Sequence, residues 1–247
     1  MKLLENLEYY DISETIELLH NNFTEEELIE NLESGFLKGK QIEGTWYTTQ
    51  NDIDEFYEKT VLKDVHLTEK HRIDLKTIKI TGRTLDIGGG GEGTIGQLAP
   101  EHVVAIDPNE RELIEAPGDF LKIIMDAKNL KFPPETFDIV TSFFTMMYIP
   151  LSEHERVFDQ ISRVLKSSGE FLLWDIEIPD KYKEDKNIYA IKLEIDIGNK
   201  IISTGFGTKW DKFVNVDHYL QLAEKVGLDI ISKEINGESF FIRFKKK

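Results

Sequence analysis

The stretch Thr84-Leu85-Asp86-Ile87-Gly88-Gly89-Gly90-Gly91-Glu92-Gly93-Thr94-Ile95-Gly96-Gln97-Leu98 constrains this chain more than any other. Thr84 to Ile87 is a short apolar run that reads as a buried strand, and Thr94 to Leu98 can start a helix. Between them, glycine lets the backbone turn with φ > 0 and leaves bare N–H groups for a ligand to lie against. A strand, a glycine turn and a helix make a cradle for a nucleotide-like molecule. An acid, Asp86, stands two residues before Gly88.

Two nucleotide readings compete for this loop. Gly88, Gly90 and Gly93 fit G-x-G-x-x-G, the dinucleotide fingerprint of an NAD-dependent oxidoreductase. That fingerprint seats a pyrophosphate at the helix N-terminus, where the Asp86 carboxylate would oppose it. S-adenosylmethionine has no phosphate, and its ammonium suits an acid at the strand end. The loop resembles motif I of the class I S-adenosylmethionine-dependent methyltransferases, matched by Asp86, Gly88 and Gly90, with Glu92 where a third glycine is usual. The alternative without a ligand is a glycine turn capped by a structural Asp.

The next elements extend the resemblance. Val103 to Ile106 is a second buried strand ending at Asp107, 21 residues past Asp86. A carboxylate at that distance suits both ribose hydroxyls, which serves either nucleotide reading. By the resemblance Asp107 is the ribose acid, with Pro108 and Asn109 opening a helix. Leu121 to Met125 is a third strand, and Asp126-Ala127 at its end matches the place where the family accepts from the adenine amino group. A turn or capping Asp is the other reading of Asp126. Phe137 to Phe143 is the fourth strand, and Phe144 to Pro150 then passes over the carboxyl edge of the sheet, where open α/β folds bind ligands. The cofactor set is therefore Asp86, Gly88, Gly89, Gly90, Asp107, Pro108, Asp126, Ala127 and Phe143.

Ser152 to Lys166 reads as a helix with Ser152 as N-cap, and Phe171 to Trp174 as strand five. Ala190 to Ile197 and Lys200 to Thr204 flank Gly198-Asn199 as an inserted hairpin. Val216 to Val226 is the last crossover helix. Leu228 to Ile235 and Ser239 to Phe244 are joined by only Asn236-Gly237-Glu238, too short to cross over, so they pair antiparallel. An antiparallel last strand belongs to the methyltransferase resemblance and not to the dinucleotide pattern. The fold class is α/β, a Rossmann-like seven-stranded sheet with an antiparallel last strand over residues 76–247, plus a small N-terminal α+β segment over residues 1–75.

The resemblance implies methyl transfer to a small-molecule acceptor by in-line displacement. An activated sulfonium needs alignment and exclusion of water more than acid–base help, so catalytic residues are hard to read. Tyr148, His154, Asp175 and Glu177 are the candidates near the right sheet edge. With no cysteine there is no thiolate metal site or thiol nucleophile, and no metal is expected.

The N-terminal segment differs in charge. Residues 1–60 carry four lysines against fifteen carboxylates, a net −11 out of the chain's −16. Ser13 to His20 and Thr24 to Glu33 read as helices, the second opened by a capping box. Phe36 to Ile42 and Thr45 to Thr49 read as a hairpin turning at Glu43-Gly44, followed by a helix from Asp52 to Lys59. This order over residues 11–58 resembles the winged helix-turn-helix of excisionase-like and MerR-like proteins. It implies a cofactor-sensing DNA-binding regulator as an alternative function. The second helix presents Glu25, Glu26, Glu27, Glu30 and Glu33, which would repel a polyanion. A lid over the acceptor or a homodimer surface is the expectation instead, with no nucleic-acid partner. Residues from about Glu58 to Leu75 read as a linking helix, with His66 and His71 at its surface. No run of 18 or more apolar residues exists and Met1 to Glu5 lacks a signal-peptide core, so the expected location is cytoplasmic, with no membrane partner.

Overall fold

The computed structural model describes residues 2–4, 7–19, 22–181 and 185–247. The chain divides into two compact units, Met1–His66 with Asp185–Asn187, and Leu67–Glu184 with Ile188–Lys247.

The smaller unit contains β1 (Lys2–Leu4), β2 (Leu7–Asp11), α1 (Ile12–Leu18), α2 (Glu25–Glu33), β3 (Lys40–Ile42), β4 (Thr45–Thr49) and α3 (Gln50–Thr60). Its four strands form a sheet in the order β1-β2-β4-β3. The two leading strands have no counterpart in the sequence reading. The expected helix end at His20 lies outside the described residues. Thr24 caps α2, its backbone N–H donating to Glu27 Oε2 at 2.8 Å. The β3–β4 hairpin turns through Glu43 and Gly44, both with positive φ, as a two-residue turn matched to strand twist requires. Leu19, Leu28, Leu32, Leu37, Ile53 and Phe56 form this unit's own core. The side chain of Asn187 joins the unit by donating to Asp64 Oδ1 at 2.7 Å.

The larger unit begins within β5 (Val65–Asp74) and continues through β6 (Thr84–Ile87), α4 (Thr94–Leu98), β7 (Val103–Asp107), α5 (Glu110–Glu115) and β8 (Leu121–Ile124). Then come β9 (Phe137–Phe143), α6 (Leu151–Val164), β10 (Leu165–Ile176), β11 (Ile188–Asp196) and β12 (Ile201–Lys209). The chain closes with α7 (Val216–Lys225), β13 (Leu228–Asn236) and β14 (Ser239–Lys246). Seven strands form one sheet in the order β13-β14-β10-β9-β6-β7-β8. β14 runs antiparallel to both of its neighbours, β10 and β13, and the β13–β14 turn contains Gly237 at φ 59°. β6 lies between β7 and β9, all four of its residues buried. The chain leaves β6 in one direction toward β7 and β8 and returns on the other side at β9. That reversal opens a crevice at the carboxyl ends of the strands.

Two expectations are corrected here. The linking helix is absent: α3 ends at Thr60, a 3-10 turn spans Leu62–Asp64, and residues 65–74 are the strand β5. Val65, Leu67 and Ile73 stand at even spacings, and β5 joins the hairpin as a third strand in the order β12-β11-β5. Lys70 and Arg72 reach across it to Glu194 at 2.6 and 2.9 Å. Most of β5 therefore belongs with the larger unit, and the division falls at His66/Leu67. His71, expected at the surface, is instead buried, with Nδ1 2.9 Å from the Asn236 carbonyl and Nε2 3.0 Å from Glu238. The second correction concerns α6. It begins at Leu151 behind Pro150, with no side-chain cap, so Ser152 lies inside the first turn. His154, Val157, Phe158, Ile161 and Val164 recur at helical spacing and bury its inner face.

Candidate active site

The carboxyl ends of β6 to β9 open into a cavity of about 500 Å³. All the residues assigned above to the cofactor stand in its wall. The glycines are there for two different reasons. Gly88 has φ +70°, and a Cβ on it would fall 2.2 Å from Thr145 Oγ1. Gly90 has ordinary backbone angles, but a Cβ there would meet Glu112 Cβ at 2.6 Å. Gly88 and Gly89 donate to the Ile106 carbonyl at 2.8 and 3.1 Å, which folds the loop onto β7.

The three strand-end acids sit in graded environments. Asp86 is 2 % exposed and accepts from Thr141 Oγ1 at 2.6 Å. Burial pushes its carboxyl up to about 7, with the nearby Asp107 charge adding to the shift. Asp107 is half-buried, and burial raises its carboxyl against the backbone N–H groups of Asn109 and Gly90 that bond to it. Asp126 is exposed and caps the 3-10 turn Ala127–Asn129 by accepting from Lys128 N at 2.8 Å. The capping reading of Asp126 thus holds, and its second carboxylate oxygen lies 3.4 Å from Lys128 Nζ.

The loop after β9 is held from beneath. Phe144 takes φ 51°, uncommon for a residue with a side chain, and the 3-10 turn Met146–Tyr148 follows it. Met147 N–H donates to Asp175 Oδ2 at 3.2 Å, while Asp175 Oδ1 accepts from Ile176 N at 2.8 Å. Thr208 Oγ1 and Lys212 Nζ both donate to the Met147 carbonyl. His154 Nε2 lies 3.1 Å from the Met146 carbonyl and 3.0 Å from that of Ile149. Carbonyls only accept, so Nε2 carries the proton, and Nδ1 accepts from His218 Nε2 at 2.9 Å. Burial depresses His154 to about 4, which keeps it neutral. Burial pushes Asp175 up to about 7 and Lys212 down.

This arrangement separates the four catalytic candidates. Tyr148 alone lines the cavity; the residue as a whole is exposed, but desolvation around its hydroxyl drives that group up to about 12, opposed by a hydrogen bond to the Gly207 backbone. Asp175 and His154 are fully buried under the turn and hold its backbone. Glu177 accepts from Val216 N at 2.9 Å and so fixes the start of α7. None of these three stands in the cavity wall. The wall also contains residues the sequence reading did not select, among them Glu92, Glu112, Phe144, Thr145 and Phe206. Phe206 and Thr204 lie on one face of β12, two residues apart. Phe206 stacks on Phe144 at 5.6 Å, and Thr204 Oγ1 donates to Glu92 Oε1. Thr204 closes the expected hairpin strand and Phe206 lies beyond it; β12 runs on to Lys209, and alternation says which residues share a face but not what that face meets. Among the described residues no three His, Asp or Glu side chains are placed to hold a metal ion.

A glycine cradle at the switch point of a seven-stranded sheet, with its antiparallel strand next to the edge, defines the class I S-adenosylmethionine-dependent methyltransferase fold. Residues 85–173 match the methyltransferase domain family, for which S-adenosylmethionine is the expected cofactor. A sterol 24-C-methyltransferase of Neurospora crassa is 25% identical over 170 residues, 64% of this chain and 42% of that protein. A phosphoethanolamine N-methyltransferase of Plasmodium falciparum is 24% identical over 265 residues, 95% of this chain and 88% of that protein. The chain spans less than half the length of the first curated relatives it matches. A solved protein of Pyrococcus horikoshii shares the fold with a TM-score of 0.51 at 21% identity, over 70% of this chain and 85% of that one. An S-adenosylmethionine-dependent methyltransferase of Thermotoga maritima, described as a possible histamine N-methyltransferase, shares it at 0.50 and 18%, over 70% and 86%.

Proposed function

We propose that this chain transfers a methyl group from S-adenosylmethionine to a small-molecule acceptor. The observation that carries the reading is Asp86, a carboxylate buried beside the glycine turn that accepts from the Thr141 hydroxyl and, among the described residues, has no cation beside it. An ammonium arriving at that carboxylate supplies the missing positive charge, whereas a pyrophosphate would add repulsion. The rest of the wall argues the same way, since five carboxylates stand in it against one lysine. Bound there, S-adenosylmethionine supplies an activated methyl group. Asp86 holds its ammonium, Asp107 its ribose hydroxyls, Asp126 and Ala127 its adenine edge, and the glycine turn lets its backbone approach. Phe143 and the loop through Pro150 exclude water and present Tyr148 toward the acceptor end. The named acceptors of the relatives, sterols and phosphoethanolamine, support a small molecule.

For the smaller unit we propose no duplex DNA partner, because α2 opens with Glu25, Glu26 and Glu27, all exposed. Incubation with methyl-labelled cofactor and a metabolite extract tests the main reading. Label appearing in a small-molecule fraction, with S-adenosylhomocysteine released, is the expected result. Specific retardation of genomic DNA fragments at low salt, without transfer, would favour the regulator.

A further inference from the structure

Assigning Asp86, Asp107 and Asp126 to the cofactor leaves two carboxylates in the cavity wall with no cofactor duty, Glu92 and Glu112. Glu112 is exposed on α5, behind the glycine turn. Glu92 is different: it is half-buried, and its Oε1 is fixed by Thr204 from the hairpin. Around it the wall turns aromatic. Phe206 lies two residues from Thr204 on the same strand face, stacks on the buried Phe144 at 5.6 Å, and faces the same cavity as Tyr148.

A held carboxylate beside aromatic faces is a combination that favours an organic cation. The carboxylate takes a charge-assisted hydrogen bond, and the ring faces attract the positive charge they cannot hydrogen-bond. A phosphate or carboxylate on the acceptor would meet only repulsion there. A neutral hydrocarbon would leave the Glu92 charge without a partner in a partly desolvated wall.

We propose that the acceptor end of this cavity recognises a protonated amine, held by Glu92 against the Phe144–Phe206–Tyr148 wall. The proposal rests on the methyl-transfer reading, in which the cofactor ammonium belongs to Asp86 and leaves Glu92 for the acceptor. Thr204 from the hairpin aims the Glu92 carboxylate.

The test is a binding comparison on the full chain saturated with S-adenosylhomocysteine, with three phenylethyl probes that differ in head group: 2-phenylethylamine, 2-phenylethanol and 3-phenylpropanoate. The amine should bind at least tenfold tighter than either of the others at pH 7. In Glu92→Gln, which keeps an acceptor for Thr204, that preference should fall below about twofold. S-adenosylhomocysteine affinity of the variant should stay within about threefold of the parent. Equal binding of amine and alcohol, no binding of any probe, or a preference that survives Glu92→Gln would each overturn the proposal. A loss of S-adenosylhomocysteine affinity in Glu92→Gln would overturn it by returning Glu92 to the cofactor. Failure of the parent to bind S-adenosylhomocysteine at all would instead sink the methyl-transfer reading beneath it.

Discussion

The two walls of the cavity are made in different ways. The cofactor wall, Phe143 apart, is built within residues 84–127 from four consecutive glycines and the acids that close three strand ends. The acceptor wall is built from side chains brought together over long separations, Glu92 from the glycine loop, Tyr148 from the turn after β9, Thr204 and Phe206 from the hairpin. Backbone geometry tolerates no added atom and therefore leaves a readable motif. Side-chain geometry accepts many residue types, so it can change its ligand without disturbing the sheet. A methyl group added to the first wall should do more harm than a changed functional group in the second.

The largest effect is expected at Gly88. Alanine there combines a positive φ with a contact to Thr145 that cannot be relieved by a flexible chain end. A stability loss of about 2–4 kcal/mol in urea melts is expected from strain and overpacking together, with cofactor binding undetectable. A variant that binds normally would show that this wall is not set by its backbone. Asp107→Ala comes next. It should weaken cofactor binding by about 2–3 kcal/mol, the scale for removing a charged partner from hydrogen-bonded hydroxyls, while the melting temperature holds. Unchanged affinity with a collapsed melting temperature would make Asp107 a structural acid.

The pH dependence sharpens the comparison further. Asp86 and Asp175 are both pushed up to about 7 in the folded state. Unfolded, they titrate near 4, so between about pH 4 and 7 the folded chain binds more protons. Their contribution to stability therefore falls as pH rises across that window. A cofactor ammonium beside Asp86 favours its ionised form, so affinity should rise about fivefold from pH 6 to 7 and about twofold more by pH 8 before it levels. Asp86→Asn should flatten that profile and Asp175→Asn should leave it, because Asp175 holds the turn and not the cofactor. Equal flattening by both variants would contradict the assignment of the two buried acids to different duties. The smallest effect is expected from Tyr148→Phe, which should alter cofactor affinity by less than about threefold, as read by calorimetry.

Periodicity and local motif make part of this fold legible in the sequence. Most strands of the large sheet, the antiparallel β13–β14 pair and the glycine turn are encoded within short windows, whereas β10 begins at Leu165, in residues read as helix end and turn, because a register shift between Leu165 and Glu170 breaks its alternation. β5 was hidden because charged residues and the buried His71 interrupt its alternation, and only its pairing with the hairpin makes it a strand. β1 and β2 are short segments whose pairing within the smaller sheet is likewise non-local. Asp175 and His154 looked catalytic from their place near a strand end and a helix start, since a sequence does not say whether an ionisable side chain points toward a cavity or beneath it. Glu92 was visible as a departure from the motif, but its partner Thr204 is 112 residues away.

Calorimetric titration of the full chain with S-adenosylhomocysteine and, separately, with NAD tests the central claim most directly. The Asp86–Asp107–Asp126 cradle predicts micromolar binding of S-adenosylhomocysteine and no heat from NAD. Clear heat from NAD, with none from S-adenosylhomocysteine or S-adenosylmethionine, would contradict it.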